Sequence, residues 1–174
     1  SLPIIKRSID YWLEEIGVDG MRFDLGAVMG IENGIFNPDA EFFLWINTKH
    51  KDKIFVVEPY AATGFYHLGH FPDKWLELNT NVRDVIRKGI HGHWIGDYIK
   101  WERSVNFITC HDGFTLHDLV CFNHKHNLDN GEDNRDGCNH NNSYNFGYEG
   151  YTDDKSINAS REHKKAIMVE SLKN

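Results

Sequence analysis

Three acidic residues each close a stretch that is predicted to be a buried β-strand. Asp24 ends GMRFD, Glu58 ends KIFVVE and Asp112 ends SVNFITCHD, and a loop-forming residue follows each of them closely. In parallel α/β sheets and barrels the reactive groups lie at the carboxyl ends of the strands. We therefore predict that Asp24, Glu58 and Asp112 point into one shared pocket.

Three convergent carboxylates suit two kinds of chemistry. Hard metal ions take oxygen ligands, whereas glycoside hydrolysis needs one acid that protonates the leaving oxygen and a second that attacks or activates water. The 11 histidines match no zinc spacing, and residues Asp129–Asp136 lack the order of an EF-hand loop. We expect no cofactor, with a structural Ca²⁺ ion as the alternative.

Neighbouring residues suggest different roles for two of the acids. Arg22 and Asp24 are two apart on a strand, so they share a face, and Arg22 should keep Asp24 ionised as a nucleophile requires. Glu58 has no basic neighbour in sequence, so desolvation should raise its pKa and keep its proton available. The alternative is that Arg22 and Asp24 form a structural ion pair only.

The aromatic segment after Glu58 offers further candidates. Tyr60 and Tyr66 supply faces against which sugar rings can pack, and His67 can bind a hydroxyl group. The alternative for Tyr66 and His67 is that they only cover the end of the sheet. For Trp75 we favour a place in the core.

The elements that must position these residues alternate between amphipathic helices and apolar strands. KIFVVE is a continuous apolar run, which is typical of a strand covered on both faces in a parallel sheet. The pattern predicts an α/β fold with a parallel sheet. The predicted helices cover residues 5–16 before Gly17, residues 40–50 after an Asp39 cap, residues 80–89, a segment capped by Thr115 and Asp118, and a final segment from near Ser160; residues 25–38 are predicted to be a loop.

A long polar stretch, residues 123–158, separates the last two helices, and we call it the Asn-rich segment. It is rich in Asn, Asp, Gly and His and has almost no aliphatic residues. A loop of this length inside a compact domain is usually functional or disordered.

Bulk composition excludes some partners. The net charge is −7, which argues against nucleic acid and anionic membranes as partners because both need a basic face. A neutral ligand suits this charge. The three cysteines are odd in number and form no C-x-x-C motif, so we expect a reducing, cytoplasmic location.

The strand motifs resemble a known family. GMRFDLG, VVEPY and FITCHDGFTLHDLV are similar, in that order, to the second, third and fourth signature regions of the α-amylase superfamily. Residues 121–150 and the stretch GFYHLGHFPDKWLELNTNVRDVIRKG resemble isoamylase-type glycogen debranching enzymes. The resemblance implies part of a (β/α)8 TIM barrel that cleaves α-1,6 branch linkages in glycogen, amylopectin or limit dextrin.

The resemblance also implies roles for individual residues. Asp24 would be the nucleophile, Glu58 the general acid/base and Asp112 the stabiliser of the transition state. Arg22 and His111 would be the arginine and the histidine of the site. The family retains the anomeric configuration, which implies a carboxyl separation of about 5–5.5 Å between nucleophile and acid. In a plant or alga the location would be the plastid.

The resemblance covers residues 1–174 as one partial barrel domain, with strands four to seven. The first signature region, the last strand and a C-terminal β-domain are absent, the sixth strand should lie between Trp75 and Val105, and Tyr60 stands where many relatives have Trp. We expect the isolated chain to be marginally stable and weakly active or inactive. Alternatives are a hydrolase of malto-oligosyl trehalose and a non-catalytic glucan-binding subunit, although the latter should have lost one strand-end acid.

Overall fold

The computed structural model describes residues 2–62, 64, 66–89 and 101–173. The chain divides into two compact units, residues 1–79 with 102–105 and residues 80–101 with 106–174. Each unit has its own hydrophobic core. Within the described residues, no helix has both the length and the hydrophobicity that crossing a membrane requires.

The first unit is built on a parallel sheet. Its described strands are β1 (Gly20–Phe23), β2 (Ile31–Glu32), β3 (Ile35–Phe36), β4 (Ile54–Val57), β5 (Leu76–Leu78) and β6 (Ser104–Val105). Strands β1, β4, β5 and β6 form a four-stranded sheet in that order, and every pair in it is parallel. The predicted α/β fold is confirmed, and the sheet is consistent with part of a (β/α)8 barrel.

A strand follows Trp75, in a stretch that the sequence left open. Strand β5 pairs with β4 through Val56 and Leu76, and with β6 through Glu77 and Ser104. Its position, between Trp75 and Val105, is the stretch in which the family resemblance predicts the sixth barrel strand, and that assignment stays a prediction. Within the ambiguous stretch 90–103, residues 90–100 lie outside the described residues.

The first helix matches its prediction in extent and differs in its buried stripe. Helix α1 (Leu2–Asp10) continues as a π-helical turn, Tyr11–Ile16, and ends at Gly17, whose φ of +83° is left-handed. Ile9 and Leu13 are buried, whereas Trp12 and Ile16 are exposed. A π turn has more residues per turn than an α-helix, so it shifts the phase of the apolar stripe.

The second helix begins without its predicted cap. Helix α2 (Glu41–Lys49) has Ala40 at the N-cap and makes no side-chain capping bond. The prediction that Asp39 caps this helix was wrong, because Asp39 lies in a turn. There its backbone N–H donates to the side-chain oxygen of Asn37. The predicted loop 25–38 contains the antiparallel β2–β3 hairpin, closed by Asn33 and Gly34 in left-handed conformations.

Aromatic rings fill the core of the first unit. The Trp75 ring centroid lies 5.1 Å from those of Phe43 and Phe55 and 5.3 Å from that of Phe23. The indole N–H donates to Asn47 at 2.7 Å, so its polar atom is satisfied. This confirms the interpretation of Trp75 as a core residue.

Strand β4 is covered on one face only. Phe55 and Val57 are buried towards the aromatic core, but Ile54 is 56% exposed. Residues 19–22 of the β1 edge, together with Ile54 and Val56, line a surface hollow on the other face. Coverage of both faces, as predicted for this strand, is therefore incomplete within the described residues of the first unit, where Ile54 is exposed and Val56 is half-buried.

The described residues of the second unit include three α-helices, α3 (Thr80–Lys88), α4 (Asp118–Cys121) and α5 (Lys155–Glu170), and a short 3-10 turn, Leu128–Asn130. The predicted pairing of Thr115 with Asp118 is present, since the Asp118 N–H donates to the Thr115 hydroxyl at 3.1 Å and that hydroxyl donates to the Asp118 carboxylate at 2.7 Å, but the N-cap of α4 is His117. Helix α5 begins at Lys155 and not near Ser160, because Asp154 caps it.

The third predicted strand is shorter than its apolar pattern suggested. Only Ser104 and Val105 of SVNFITCHD are in a strand. The carbonyl group of Ile108 accepts a hydrogen bond from the Arg87 side chain at 2.7 Å, so it pairs with a side chain rather than with a strand. Asp112 therefore follows irregular backbone and does not end a strand as predicted.

Candidate active site

Asp24 and Glu58 leave neighbouring parallel strands at the same edge of the sheet. The register pairs Arg22 with Val56 and Phe23 with Val57, so the next residue of each strand is one of the two acids. The sequence pattern alone placed each acid at a strand end. The pairing of β1 with β4 adds that these two ends are adjacent.

Arg22 contacts both carboxylates. Its Nη2 lies 3.3 Å from the Asp24 carboxylate and also forms an ion pair with the Glu58 carboxylate. Glu58 is 3% exposed, and its second oxygen accepts a hydrogen bond from the backbone N–H of Leu25 at 2.8 Å. The Tyr60 side chain also hydrogen-bonds to Glu58. Every oxygen of the buried carboxylate therefore has a donor.

These donors reverse the predicted ionisation of Glu58. Burial raises its pKa, but the bonds from Leu25 and Tyr60 and the charge of Arg22 together outweigh burial and hold the pKa below its ordinary value. The prediction of a raised pKa was wrong because the cation comes from the adjacent strand. The residues next to Glu58 in the sequence do not indicate that Arg22 contacts it.

The aromatic segment forms a closed loop beside this pair. Tyr60 and Tyr66 form an antiparallel bridge, and the His67 N–H donates to the Pro59 carbonyl at 2.7 Å. The His67 ring stacks on Phe36 with centroids 4.5 Å apart, and burial lowers its pKa. His67 therefore packs within the loop, whereas Tyr60 contacts Glu58 and Tyr66 is exposed.

Two residues that the sequence did not identify hold this loop on the sheet. Glu77 on β5 is fully buried and accepts the Gly69 N–H at 2.7 Å, while Arg103 donates to the carbonyl groups of Phe71 and Pro72 at 2.9 Å each. Burial raises the pKa of Glu77 to about 7, against the Gly69 bond and the charge of Arg103, which is 3.6 Å away. The available signal was a glutamate inside the apolar strand WLEL.

The other two predicted residues lie in the second unit on an exposed turn. The side chain of Asp112 is 77% exposed, and its carboxylate lies 3.8 Å from the His111 ring. Asp112 has a φ of +65°, which is unusual for a residue other than glycine. The convergence of Asp112 and His111 with Asp24 and Glu58 stays a prediction.

Hydrogen bonds of the buried Asn141 side chain hold the Asp112 turn in place. The side chain of Asn141 accepts the Phe114 N–H at 3.0 Å and donates to the Cys138 carbonyl at 2.8 Å. The Cys138 N–H donates in turn to the Asp112 carbonyl. The side chain of Arg87, which is buried in α3, donates a hydrogen bond to the Asn141 carbonyl at 3.2 Å. No sequence signal distinguishes Asn141 from the other asparagines around it.

One carboxylate organises the first half of the Asn-rich segment. Glu149 accepts backbone N–H bonds from Asn123 and His124 at 2.9 and 3.0 Å, a side-chain amide bond from Asn145 at 2.8 Å, and contacts the His126 ring at 3.0 Å. Burial raises its pKa, but these donors together outweigh burial and lower the pKa to about 2. The segment is therefore folded around a carboxylate that stays ionised.

A buried arginine organises the end of the segment. Arg161 on α5 donates to the carbonyl groups of Asn145 and Gly150 at 2.9 and 2.8 Å and also to that of Tyr148. The backbone is thus ordered by polar contacts where the sequence supplies no aliphatic core.

Among the described residues of the first unit, Asp10, Glu14 and His50 form a cluster with the geometry of a metal site. The Lys49 ammonium group lies 2.7 Å from Asp10 and 3.1 Å from Glu14, and the His50 ring lies 2.8 Å from Asp10. An internal cation therefore already neutralises these carboxylates. The expectation on cofactors and Ca²⁺ stays a prediction.

Comparison with known proteins gives close relatives. No protein-family model matches the chain. A protein named "Glycogen operon protein GlgX homolog" from Mycobacterium bovis is 36% identical over 195 residues, which cover 99% of this chain and 27% of the relative. A "Glycogen debranching enzyme" from Dickeya chrysanthemi is 39% identical over 184 residues, which cover 94% of this chain and 28% of the relative. The chain thus spans about a quarter of the length of these relatives, and they confirm the family resemblance found in the sequence.

Proposed function

This chain is homologous over nearly its whole length to GlgX-type glycogen debranching enzymes, and we propose that it carries the catalytic carboxylates of a glycoside hydrolase that cleaves α-1,6 branch linkages. The substrate would be a branched α-glucan such as glycogen, amylopectin or limit dextrin. The observation that carries this proposal is the shared contact of Asp24 and Glu58 with Arg22 at the ends of adjacent parallel strands.

The two carboxylates have complementary roles in a double displacement. Asp24 attacks the anomeric carbon while Glu58 gives its proton to the leaving oxygen, so the C–O bond of the branch breaks and a glycosyl ester forms. A water molecule then attacks the same carbon, Glu58 takes the proton of that water, and Asp24 leaves. Two inversions give net retention of the anomeric configuration.

A general acid must be protonated, whereas Arg22 and Tyr60 favour the ionised form of Glu58 in the unliganded chain. In the proposed cycle the bound sugar removes water from the pocket, which raises the pKa of Glu58. The ion pair between Arg22 and Glu58 then breaks, and Arg22 pairs with Asp24 alone, which it already contacts and which must stay negatively charged. The bridging position of Arg22 supports this exchange because both carboxylates already contact the same guanidinium group.

The remaining candidates bind sugar in this proposal. Asp112 stabilises the cationic transition state through the sugar hydroxyl groups, and His111 binds beside it. Tyr60 orients Glu58, and Tyr66 offers an exposed ring to a neighbouring glucosyl unit. The packing of His67 against Phe36 gives it a supporting role in the loop.

We propose that residues 1–174 form part of a (β/α)8 barrel; their four parallel strands and the greater length of their relatives, about four times that of this chain, support this proposal. The 174-residue chain by itself would then have little or no turnover. The proposed location is the cytoplasm, where glycogen is the partner.

The test uses the full-length protein that carries these residues, with pullulan, glycogen and malto-oligosyl trehalose as substrates. We expect new reducing ends from pullulan and glycogen, and proton NMR of the first product should show the α-anomer. Glu58→Gln should lower turnover by roughly 10²–10⁴-fold, and Glu41→Gln, an exposed glutamate paired with Lys6, is the matched control.

Three outcomes would contradict the proposal. Turnover of malto-oligosyl trehalose alone would favour the neighbouring specificity in the family. Glucan binding without turnover would favour a non-catalytic subunit. Undiminished turnover in the Glu58→Gln variant would remove Glu58 from the mechanism.

A further inference from the structure

A cavity of about 480 Å³ lies beside Asp112 in the second unit. One wall is the turn from Asp112 to Phe114, and the Asn-rich segment supplies most of the opposite side, including His124, Lys125 and Asp136. The volume falls within the range of small-molecule sites in proteins, about 300–1,000 Å³. The roles proposed above for individual residues use Asp112 and leave the rest of this cavity without a function.

An exposed but immobilised aromatic ring borders the cavity. Tyr151 is 69% exposed, yet its ring stacks on His117 with centroids 5.5 Å apart and meets the edge of Phe122 at 5.7 Å. His117 is itself held, since its ring contacts Cys121 and Lys165. A ring that is fixed before binding loses little entropy when a ligand packs against it.

The polar groups of the cavity suit a ligand with neutral hydroxyl groups. Asp112 and Asp136 offer carboxylate acceptors, and the Lys125 ammonium group is tied to the Asp136 carbonyl at 2.6 Å. Asp118 adds a third carboxylate, so acidic side chains outnumber the single lysine of the lining. This charge disfavours phosphates and other anions, whereas each sugar hydroxyl can both donate and accept.

Hydrogen bonds within the chain hold the wall formed by the Asn-rich segment. Asn130 donates to the Asp136 carboxylate at 2.6 Å, and Glu149 fixes the backbone at Asn123 and His124. On the facing wall, the Cys138 N–H holds the Asp112 carbonyl. Acceptors, donors and aromatic ring therefore keep fixed relative positions, as a specific binding site requires.

We propose that this cavity binds one glucosyl unit of the substrate next to Asp112, with the Tyr151 ring as its stacking platform and Asp136 as a hydroxyl acceptor. The inference rests on the proposed function and adds a specificity-determining surface to it. The Asn-rich segment then has a purpose that its composition alone does not explain: it converts the turn at Asp112 into one side of a sugar-binding pocket.

The test measures binding of isomaltotriose and maltotriose to the full-length protein by isothermal titration, in a Glu58→Gln background so that no substrate is consumed. Tyr151→Ala should weaken binding about tenfold, and Tyr151→Phe, which keeps the ring, should restore it. The matched control is Tyr148→Ala, because Tyr148 is also exposed and does not line the cavity. Thermal melts of each variant verify folding.

The possible results separate this inference from the proposed function. Equal binding by Tyr151→Ala and Tyr148→Ala, with turnover still dependent on Glu58, would overturn the inference and leave the function standing. Binding that depends on Tyr151 in a protein without turnover would support the pocket and contradict the hydrolase. If Tyr151→Ala unfolds the chain, Asp136→Asn decides: weaker binding supports the pocket, and unchanged binding overturns it.

Discussion

The guanidinium group of Arg22 forms an ion pair with the carboxylate of Glu58, which is 3% exposed. The contact crosses from strand β1 to strand β4 and joins an exposed cation to a buried acid. It lowers the pKa of Glu58 together with the Leu25 N–H and Tyr60. The protonation of the proposed general acid is therefore under the control of a neighbouring strand.

Arg22→Gln should raise the pKa of Glu58 in the unliganded protein. The substitution removes the positive charge but leaves the Leu25 and Tyr60 donors in place. Carboxyl ¹³C NMR of Glu58 across pH 2–8, roughly the range in which glutamates titrate, measures the change directly. Arg7→Gln removes an exposed arginine as the control, and an unchanged Glu58 titration in Arg22→Gln would show that the ion pair has no influence.

The same contact sets the sign of a pH dependence of folding. Because the folded-state pKa of Glu58 lies below its ordinary value of 4.5, its ionised form stabilises the fold above that pH. The contribution is lost as the pH falls through the lowered folded-state pKa. Arg22→Gln should therefore reduce the loss of folding stability in acid. Thermal melts between pH 3 and 6, roughly the range in which glutamates titrate, will detect this difference.

Sequence reasoning succeeded where local patterns determine structure. Local patterns of a few residues predicted the strand ends at Asp24 and Glu58 and the end of the first helix at Gly17. They also predicted the contact between Thr115 and Asp118. The prediction for the ionisation of Glu58 was wrong because Arg22, the cation that contacts it, is 36 positions away in the sequence. The start of α5 was missed because Asp154 is one acid within a long polar run, where many residues resemble a cap.

The candidate site was predictable in its acids and not in its supports. Residue type and strand-end position identify Asp24 and Glu58, since few other acids follow apolar strands. Asn141 supports the Asp112 turn through contacts that only the folded chain creates. An asparagine in a segment full of asparagines carries no mark of that role.

Glu77→Gln should stabilise the first unit at neutral and alkaline pH. The folded-state pKa of about 7 exceeds the ordinary value of 4.5, so folding favours the protonated form and stability declines as the pH rises from about 4.5 to 7. At 1.36 kcal/mol per pKa unit the full penalty is on the order of 3 kcal/mol. Glutamine keeps an acceptor for the Gly69 N–H and carries no charge.

Thermal melts of the wild type and Glu77→Gln from pH 4 to 9, roughly 2–3 units either side of neutrality, provide the measurement. The two proteins should have similar melting temperatures at the acid end and diverge as the pH rises. Glu41→Gln is the control, because Glu41 is an exposed partner of Lys6. Parallel curves for the wild type and Glu77→Gln would mean that Glu77 stays ionised in the fold.

Asn141→Ala should loosen the turn that presents Asp112. The substitution removes the acceptor of the Phe114 N–H and the donor to the Cys138 carbonyl, two part-buried contacts of the buried Asn141 side chain. Losing the pair should cost about 1–3 kcal/mol in total. Amide hydrogen exchange at Phe114 and Cys138 should accelerate, and turnover should fall through kcat because Asp112 loses its orientation.

Asn139→Ala is the matched control, since Asn139 is exposed and two positions away. It should leave both exchange and kcat unchanged. If Asn141→Ala slows turnover while the amides of Phe114 and Cys138 exchange as in the wild type, the network does not position Asp112.

Arg161→Met should unfold the end of the Asn-rich segment without the loss of helix α5. The arginine satisfies the carbonyl groups of Asn145, Tyr148 and Gly150, and methionine fills a similar volume with no donor. Of the three acceptor residues Gly150 is buried, Asn145 is half-buried and Tyr148 is exposed, so the loss of their donor costs about 1–3 kcal/mol in total. The Gly150 amide, which donates to the Cys121 carbonyl at 2.8 Å, reports the change by hydrogen exchange.

The Arg161 prediction has a direct control in Arg135→Met, because the Arg135 side chain is 75% exposed and its nearest carboxylate is 3.8 Å away. Exposed ion pairs contribute about 0–1 kcal/mol, so this variant should melt like the wild type. Slow exchange of the Gly150 amide in Arg161→Met would show that the polar loop orders itself without the arginine. Fast exchange there, with circular dichroism that keeps the helical signal, would assign the order of residues 145–150 to this one buried side chain.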